Sequence, residues 1–395
     1  MMPIIIIGSG HAGITLAKEI RAKEHHAPVI IVTQEKGDLY YKPNLSKALS
    51  MGKSIEALIM KTRDVLQSDF NLIIKAETLV TAVDTDQQAI TITKAGETQS
   101  LSYGSLVFAT GASPIDLGLS SSVSDKVVSI NNFEGYRSFI SNLKKETRIL
   151  IVGAGYVGCE FASDLASTGH QVDIVDLSMW PLQRVLPQSL GSKIVEAFPR
   201  ERVRWHFGCG ITNLAETRDG VSAELSVQLS NGKIIEADIV LSAVGLSPNK
   251  KLAESAGIKV HNGIVVDQYL KTSANDVYAL GDCAEYYGCV LPFIAPATAA
   301  ARALAVTLTG EEKKLTLPQQ AVAVKLAYCP LVICPPRNTV GANVVGSWQV
   351  NGHGCDLSAV FNDSDGVPLG FALLGKAVSQ KNDLLKHLNE EPAVS

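Results

Sequence analysis

The stretch Pro3-Ile4-Ile5-Ile6-Ile7-Gly8-Ser9-Gly10-His11-Ala12-Gly13 decides the fold. Four consecutive branched apolar residues predict a strand buried on both faces. The glycine-rich turn behind them predicts an abrupt entry into a helix. A second apolar run, Val29-Ile30-Ile31-Val32, closes the unit. The same order returns from Arg148 to Asp176: Ile149–Val152, the turn Gly153-Ala154-Gly155-Tyr156-Val157-Gly158, a helical stretch, then Val172-Asp173-Ile174-Val175-Asp176.

Each glycine in these turns has a separate task. The first (Gly8, Gly153) permits the tight turn, and the second (Gly10, Gly155) lets backbone approach a pyrophosphate. The third (Gly13, Gly158) lets helix pack on strand. The helix start then offers free N–H groups and the positive end of its dipole. Two such units predict an α/β fold with two Rossmann-like dinucleotide-binding domains. Asp176, 21 residues beyond Gly155, stands where a carboxylate accepts hydrogen bonds from a ribose 2′-OH and repels a 2′-phosphate. No Arg or Lys follows in Leu177-Ser178-Met179-Trp180, so this unit favours NADH over NADPH. The first unit ends Val32-Thr33-Gln34-Glu35, and either Gln34 or Glu35 would meet a ribose. Two further stretches point to FAD as its ligand. Leu106–Gly111 is an apolar strand ending in the small turn Ala109-Thr110-Gly111, and Asp276–Asp282 is a buried-type strand ending in Gly-Asp. A carboxylate at that strand end suits a ribityl hydroxyl.

Composition narrows the classes. The chain has 395 residues, 46% hydrophobic and 19% charged, with net charge -4, which excludes a disordered chain and a basic nucleic-acid footprint. No apolar run approaches the roughly 20 residues of a membrane span. The N-terminus lacks a basic region ahead of its short apolar run. Seven cysteines, an odd number scattered over the chain, form no disulfide framework and suit a reducing cytoplasm. No Cys or His spacing supports a metal site. The expected domains are residues 1–112 with 241–313 for FAD, 113–240 for NADH, and a small α+β module at 314–395. Ser120–Asp125 reads as a Ser-rich loop at a boundary, and the end from Glu390 should fray.

The first glycine turn, the Ala-Thr-Gly turn, the second glycine turn and Thr272–Asp282 occur in an order that resembles the pyridine nucleotide-dependent flavoprotein reductases with two dinucleotide-binding domains. Tyr40-Tyr41-Lys42-Pro43-Asn44-Leu45-Ser46 and Val322-Ala323-Val324-Lys325 resemble the branch that reduces rubredoxin. The resemblance implies FAD pyrophosphate on Ser9, Gly10, His11 and Ala12, and adenosine ribose at Thr33 and Gln34. Many relatives carry an acid at this ribose position. It implies adenine at Val80, the ribityl chain at Asp282, and the pyrimidine end of the flavin near Val290 and the helix around Ala297–Leu308. It also places Lys42 and Lys325 at the flavin ring and Glu160 near the nicotinamide, and makes these three the catalytic candidates. Without the resemblance, Lys42 and Lys325 read as surface lysines and Glu160 as a helix acid favoured by the dipole.

Cysteine placement bears on mechanism. Tyr40–Met51 holds no cysteine, and the second domain has no Cys-x-x-Cys, so the disulfide-reducing modes of the family are not expected. Cys329 and Cys334 are five apart, on opposite faces if they lie on one strand. Electrons should therefore leave directly from flavin. The resemblance implies rubredoxin as a one-electron acceptor. Lys42, Lys47, Lys53 and Lys61 read either as a solvated face or as a local basic surface that steers it. Flavorubredoxin or a ferredoxin is the alternative acceptor. A flavin-binding redox sensor is the reading from another class.

Overall fold

The computed structural model describes residues 2–118, 126–217, 223–337 and 345–390. The Ser-rich stretch 120–125 and the tail 391–395 therefore lie outside the described residues. The chain divides into two compact units. The first gathers the chain up to Tyr41, Glu56–Ser113 and Ser247–Pro318; the second gathers Lys42–Ile55, Pro114–Leu246 and the chain from Gln319.

The first unit is built on a parallel five-stranded sheet. Its order is Val277–Ala279, Ser105–Phe108, Ile4–Ile7, Val29–Val32, Ile73–Lys75. All four residues of Ile4–Ile7 are buried, which is why the strand is apolar at every position and not at alternate ones. Ile4–Ile7 pairs with strands of both halves of the unit, so the loops at its carboxyl end and at that of Ser105–Phe108 share one crevice. Helix His11–Arg21 packs along helix Ile294–Leu308, whose buried face is mostly alanine and admits close approach. An antiparallel meander, Leu79–Asp84, Ala89–Lys94 and Glu97–Ser102, completes the unit.

The second unit repeats the plan, with strands in the order Val127–Val128, Ile239–Ser242, Arg148–Val152, Gln171–Asp176, Val203–Phe207, all parallel. Ile239–Ser242 is hydrogen-bonded in the middle of this sheet. The chain therefore returns to the first unit at Ser247 and not at 241. A second meander joins Ile211–Glu216, Leu225–Leu229 and Ile234–Ala237. The C-terminal portion is an antiparallel sheet of five strands in the order Val322–Val324, Leu331–Cys334, Pro368–Leu374, Asp356–Asn362, Ser347–His353, with helix Lys381–Glu390 after it. Its core unites Val332, Cys334, Phe371, Leu373, Ala377 and Leu388. This portion groups with the second unit, as does the short segment Lys42–Ile55.

Candidate functional site

The first unit presents one glycine cradle. Gly8 has φ +115°, and a Cβ there would collide with the Ala109 carbonyl oxygen. A Cβ on Gly13 would collide with the carbonyl oxygen of Gly8. Gly10 is different: a Cβ there meets nothing within 4 Å. The outer glycines are closed by the protein's own backbone, and the middle one borders open space. Such a space accepts a pyrophosphate at a helix start. The Ser9 hydroxyl lies 2.8 Å from that of Thr33, tying the turn to the end of the second strand. Beyond it Gln34 is exposed, and Glu35 is half-buried and accepts a 3.5 Å hydrogen bond from Tyr40.

Two turns flank this cradle. The Thr110 hydroxyl donates to the Asn249 carbonyl at 2.8 Å, and the Asn249 amide group donates back to the Thr110 carbonyl at 2.8 Å. Gly111, at φ +66°, completes the clamp by accepting from the Asn249 N–H at 3.0 Å. The turn Gly281–Cys283, which carries Asp282, sits against the start of the first helix, since a Cβ on Gly281 would lie 2.8 Å from that of Ala12. Asp282 thus stands at the same helix start as Ser9 to Ala12. Val80 is buried at a bulge in its strand, and Val290 pairs with Glu285 in a short ladder.

His11 also ties two helices together. Its Nε2 lies 2.8 Å from the Thr298 hydroxyl, joining the two packed helices. Burial, and secondarily the charge of Lys18, lower its pKa below the ordinary value of 6.5. A group whose pKa is lowered on folding binds fewer protons in the folded state, so its contribution is complete above pH 6.5 and is lost as pH falls below it. Between pH 7.5 and 5.5 the melting temperature should fall more steeply for the native protein than for His11→Gln. Parallel slopes would remove His11 from the acid response.

The second unit presents the matching cradle. A Cβ on Gly153 would collide with the Ala243 carbonyl oxygen and one on Gly158 with that of Gly153, while one on Gly155 meets nothing within 4 Å. Asp176 folds over this turn: Oδ2 accepts from the Ala154 N–H at 2.5 Å and Oδ1 from the Ser178 N–H at 2.7 Å. The carboxylate is thereby fixed beside the open glycine, where a ribose diol would meet it.

A third cluster in the second unit joins two of the catalytic candidates. Glu160, on helix Tyr156–Ser167, is 7% exposed. Its Oε2 accepts from Lys325 Nζ at 2.6 Å and from Ser46 Oγ at 2.5 Å, and its Oε1 accepts from the Lys325 backbone N–H at 3.0 Å. Lys325 Nζ also lies 3.2 Å from Ser46 Oγ. One turn along the helix, Asp164 accepts from the N–H groups of Leu49 and Ser50 at 3.1 and 3.0 Å. Segment 42–55 is thus pinned to that helix by two carboxylates. Lys42 is not part of this cluster: its Nζ donates to Asn131 Oδ1 at 2.6 Å. Ser46, Asn131, Asn249 and Thr298 carry no sequence signal for these roles, because each partner lies far along the chain. Of the lysines expected to form a basic surface, Lys61 is ion-paired with Asp69, whereas Lys47 and Lys53 are exposed.

Comparison with known proteins agrees with this geometry. Residues 2–314 match the family described as pyridine nucleotide-disulphide oxidoreductase, and residues 314–388 match the rubredoxin binding C-terminal domain. The rubredoxin-NAD(+) reductase of Acinetobacter baylyi is 36% identical over 390 residues, 98% of each chain. The nitric oxide reductase FlRd-NAD(+) reductase of Aeromonas salmonicida is 36% identical over 386 residues, 98% of this chain and 96% of that one. Among solved structures, the putidaredoxin reductase–putidaredoxin complex superposes with a TM-score of 0.88 at 23% identity, covering 98% of this chain and 93% of that one. The NADH:rubredoxin oxidoreductase of Clostridium acetobutylicum gives 0.79 at 21%, covering 99% and 95%. Those two likenesses speak for the fold. Two glycine cradles on parallel sheets, in a chain matched along its whole length, make this protein a member of the pyridine nucleotide-disulphide oxidoreductase family.

Proposed function

We infer that the chain is an FAD-dependent oxidoreductase that takes electrons from NADH and passes them to rubredoxin. The observation that carries this reading is the match of residues 314–388 to the rubredoxin binding C-terminal domain, next to two cradles that each suit a dinucleotide. FAD, when bound, supplies the conversion of a hydride into single electrons. The protein's own residues bind and orient. The cradle at Gly8–Gly13 and Asp282 hold FAD, and the cradle at Gly153–Gly158 and Asp176 hold NADH. Lys42, Glu160 and Lys325 serve the reacting rings. Family members that reduce disulfides carry their cysteine pair either as Cys-x-x-Cys in the second domain, which this chain lacks, or in the segment after the first unit. Here that segment has none, and its Ser46 is bonded to Glu160. Electrons therefore have no protein disulfide to visit. We take residues 314–395 as the carrier-docking module. Cytoplasmic placement is supported by the cysteines, seven in number and scattered over the chain with no disulfide-framework spacing. Among the described residues no helix is long and apolar enough to cross a membrane.

The test is stopped-flow reduction of the FAD-loaded protein by NADH, followed by mixing with oxidised rubredoxin. Rapid flavin reduction and rapid bleaching of rubredoxin are expected. Flavin reduction without bleaching would discard rubredoxin, and the same mixing with flavorubredoxin, favoured by the Aeromonas relative, or a ferredoxin would identify the acceptor. Slow flavin reduction by NADH would leave the redox-sensor reading. Asp176→Ala should raise the KM for NADH by about tenfold, the scale of a lost charge-assisted hydrogen bond pair. It should also narrow the preference over NADPH. Unchanged steady-state constants for both would show that Asp176 does not read the ribose.

A further inference from the structure

A cavity of about 500 Å³ opens in the second unit away from the glycine cradle, between the end of helix Phe133–Asn142, the end of helix Tyr156–Ser167 and Leu49. Its volume lies within the range of small-molecule sites. Leu49, Ile140 and Leu143 supply apolar wall. Lys145 and Arg202 supply two cations against the carboxylate of Glu146, and the third cation of the lining, Lys144, is paired with Glu224 at 3.4 Å. The Arg202 guanidinium spends Nη1 on the Gly169 carbonyl at 2.7 Å; its Nε and Nη2, the edge that takes a carboxylate in two parallel hydrogen bonds, have no partner among the described residues. Lys145 likewise has no ion-pair partner among the described residues. His170, also in the lining, is 7% exposed, and its Nδ1 has no hydrogen-bond partner. Burial lowers the His170 pKa.

We propose that this cavity is a binding site for a small amphipathic carboxylate, its head group on Arg202 and Lys145 and its hydrocarbon part on Leu49, Ile140 and Leu143. A bare phosphate would leave the three apolar side chains against water, and an apolar ligand would leave the guanidinium edge uncompensated. The site matters for the chemistry because Leu49 is wall and anchor at once: its N–H is bonded to Asp164, three residues after the Ser46 that is bonded to Glu160. An occupant that shifts Leu49 acts on the segment that holds Ser46.

Titration calorimetry of the FAD-loaded protein with octanoate tests this, with octylamine and inorganic phosphate as comparison probes. Octanoate should bind saturably at one equivalent, phosphate at least about tenfold more weakly, and octylamine not at all. Lys145→Glu, on the surface, should weaken octanoate about tenfold or more. Leu143→Trp should fill the cavity and remove binding. Melting curves matched to the native protein show that both variants are folded. Absence of saturable octanoate binding, equal binding by phosphate, or unchanged binding in folded Lys145→Glu would each overturn the site.

Discussion

Gly13→Val yields a protein that purifies with little or no flavin. The added side chain has no room: its Cβ alone would strike the Gly8 carbonyl oxygen and press on the Ile6 side chain. Gly8 is itself fixed, since its N–H donates to the Val32 carbonyl at 2.8 Å and its Cα is backed by the Ala109 carbonyl. The helix must therefore move off the strand. Overpacking of this kind costs about 1–3 kcal/mol in a well-packed core, and more against backbone. The N–H groups at His11 and Ala12 leave their places with it. Flavin occupancy, read as visible absorbance per protein, should fall by more than about tenfold, a loss of at least roughly 1.4 kcal/mol of binding. Gly10→Ala is the control. A Cβ there meets no protein atom within 4 Å, so the flavin-free protein should melt as the native one does while still binding FAD poorly. Gly158→Val should do to NADH what Gly13→Val does to FAD, leaving the flavin in place. A yellow, fully loaded Gly13→Val protein would mean that the first cradle does not hold FAD.

These contrasts show what a sequence carries and what it does not. Continuous apolar runs followed by Gly-x-Gly-x-x-Gly are local signals. Strand, turn and helix are dictated within some twenty residues, and the structure has them where the pattern put them. The hairpins at Ala89 and Leu225 are local too, set by alternation and turn residues. Strand order was less accessible. Ile239–Ser242 follows the second meander, yet it pairs beside Arg148–Val152, 90 residues earlier, and nothing local distinguishes it from a strand of the first unit. The grouping of segment 42–55 with the second unit is of the same kind. Its run Lys42-Pro43-Asn44-Leu45-Ser46-Lys47 carries a family likeness but no local signal for that attachment. Its attachment depends on Glu160 and Asp164, more than a hundred residues away. Family likeness singles out Glu160 and Lys325 in the sequence. That they are ion-paired, with Ser46 as the third member and Lys42 elsewhere, could come only from the assembled fold.

The second large effect is expected at that pair. Lys325→Met should destabilise the second unit by about 2–4 kcal/mol, because it leaves the Glu160 carboxylate buried with only Ser46 and one backbone N–H to hold it. The upper end of the range for buried pairs is not reached, since the Lys325 side chain keeps 26% of its exposure and water shares its charge. Glu160→Gln keeps one acceptor oxygen, which can serve the Lys325 N–H while its amide N–H donates to Ser46 Oγ, but it removes the ionic attraction. The double variant Glu160→Gln/Lys325→Met removes both charges together. Its stability should return toward the native value, giving a coupling energy of roughly 1.5–3 kcal/mol in the double-mutant cycle. Denaturant melts of the four proteins measure it, and a coupling below about 0.5 kcal/mol would mean that the pair contributes nothing to the fold. Kinetics then separates structure from chemistry. If Glu160 and Lys325 only brace segment 42–55 against its helix, the double variant recovers NADH-dependent flavin reduction along with its stability. If they serve the reacting rings, the stable double variant stays slow, by about tenfold or more, the size of one lost positioned charge in a water-poor site. The second outcome is the one expected, because a carboxylate, an ammonium and a hydroxyl held within 3.2 Å of one another are costly to bury for packing alone, and an apolar trio would pack the same space more stably.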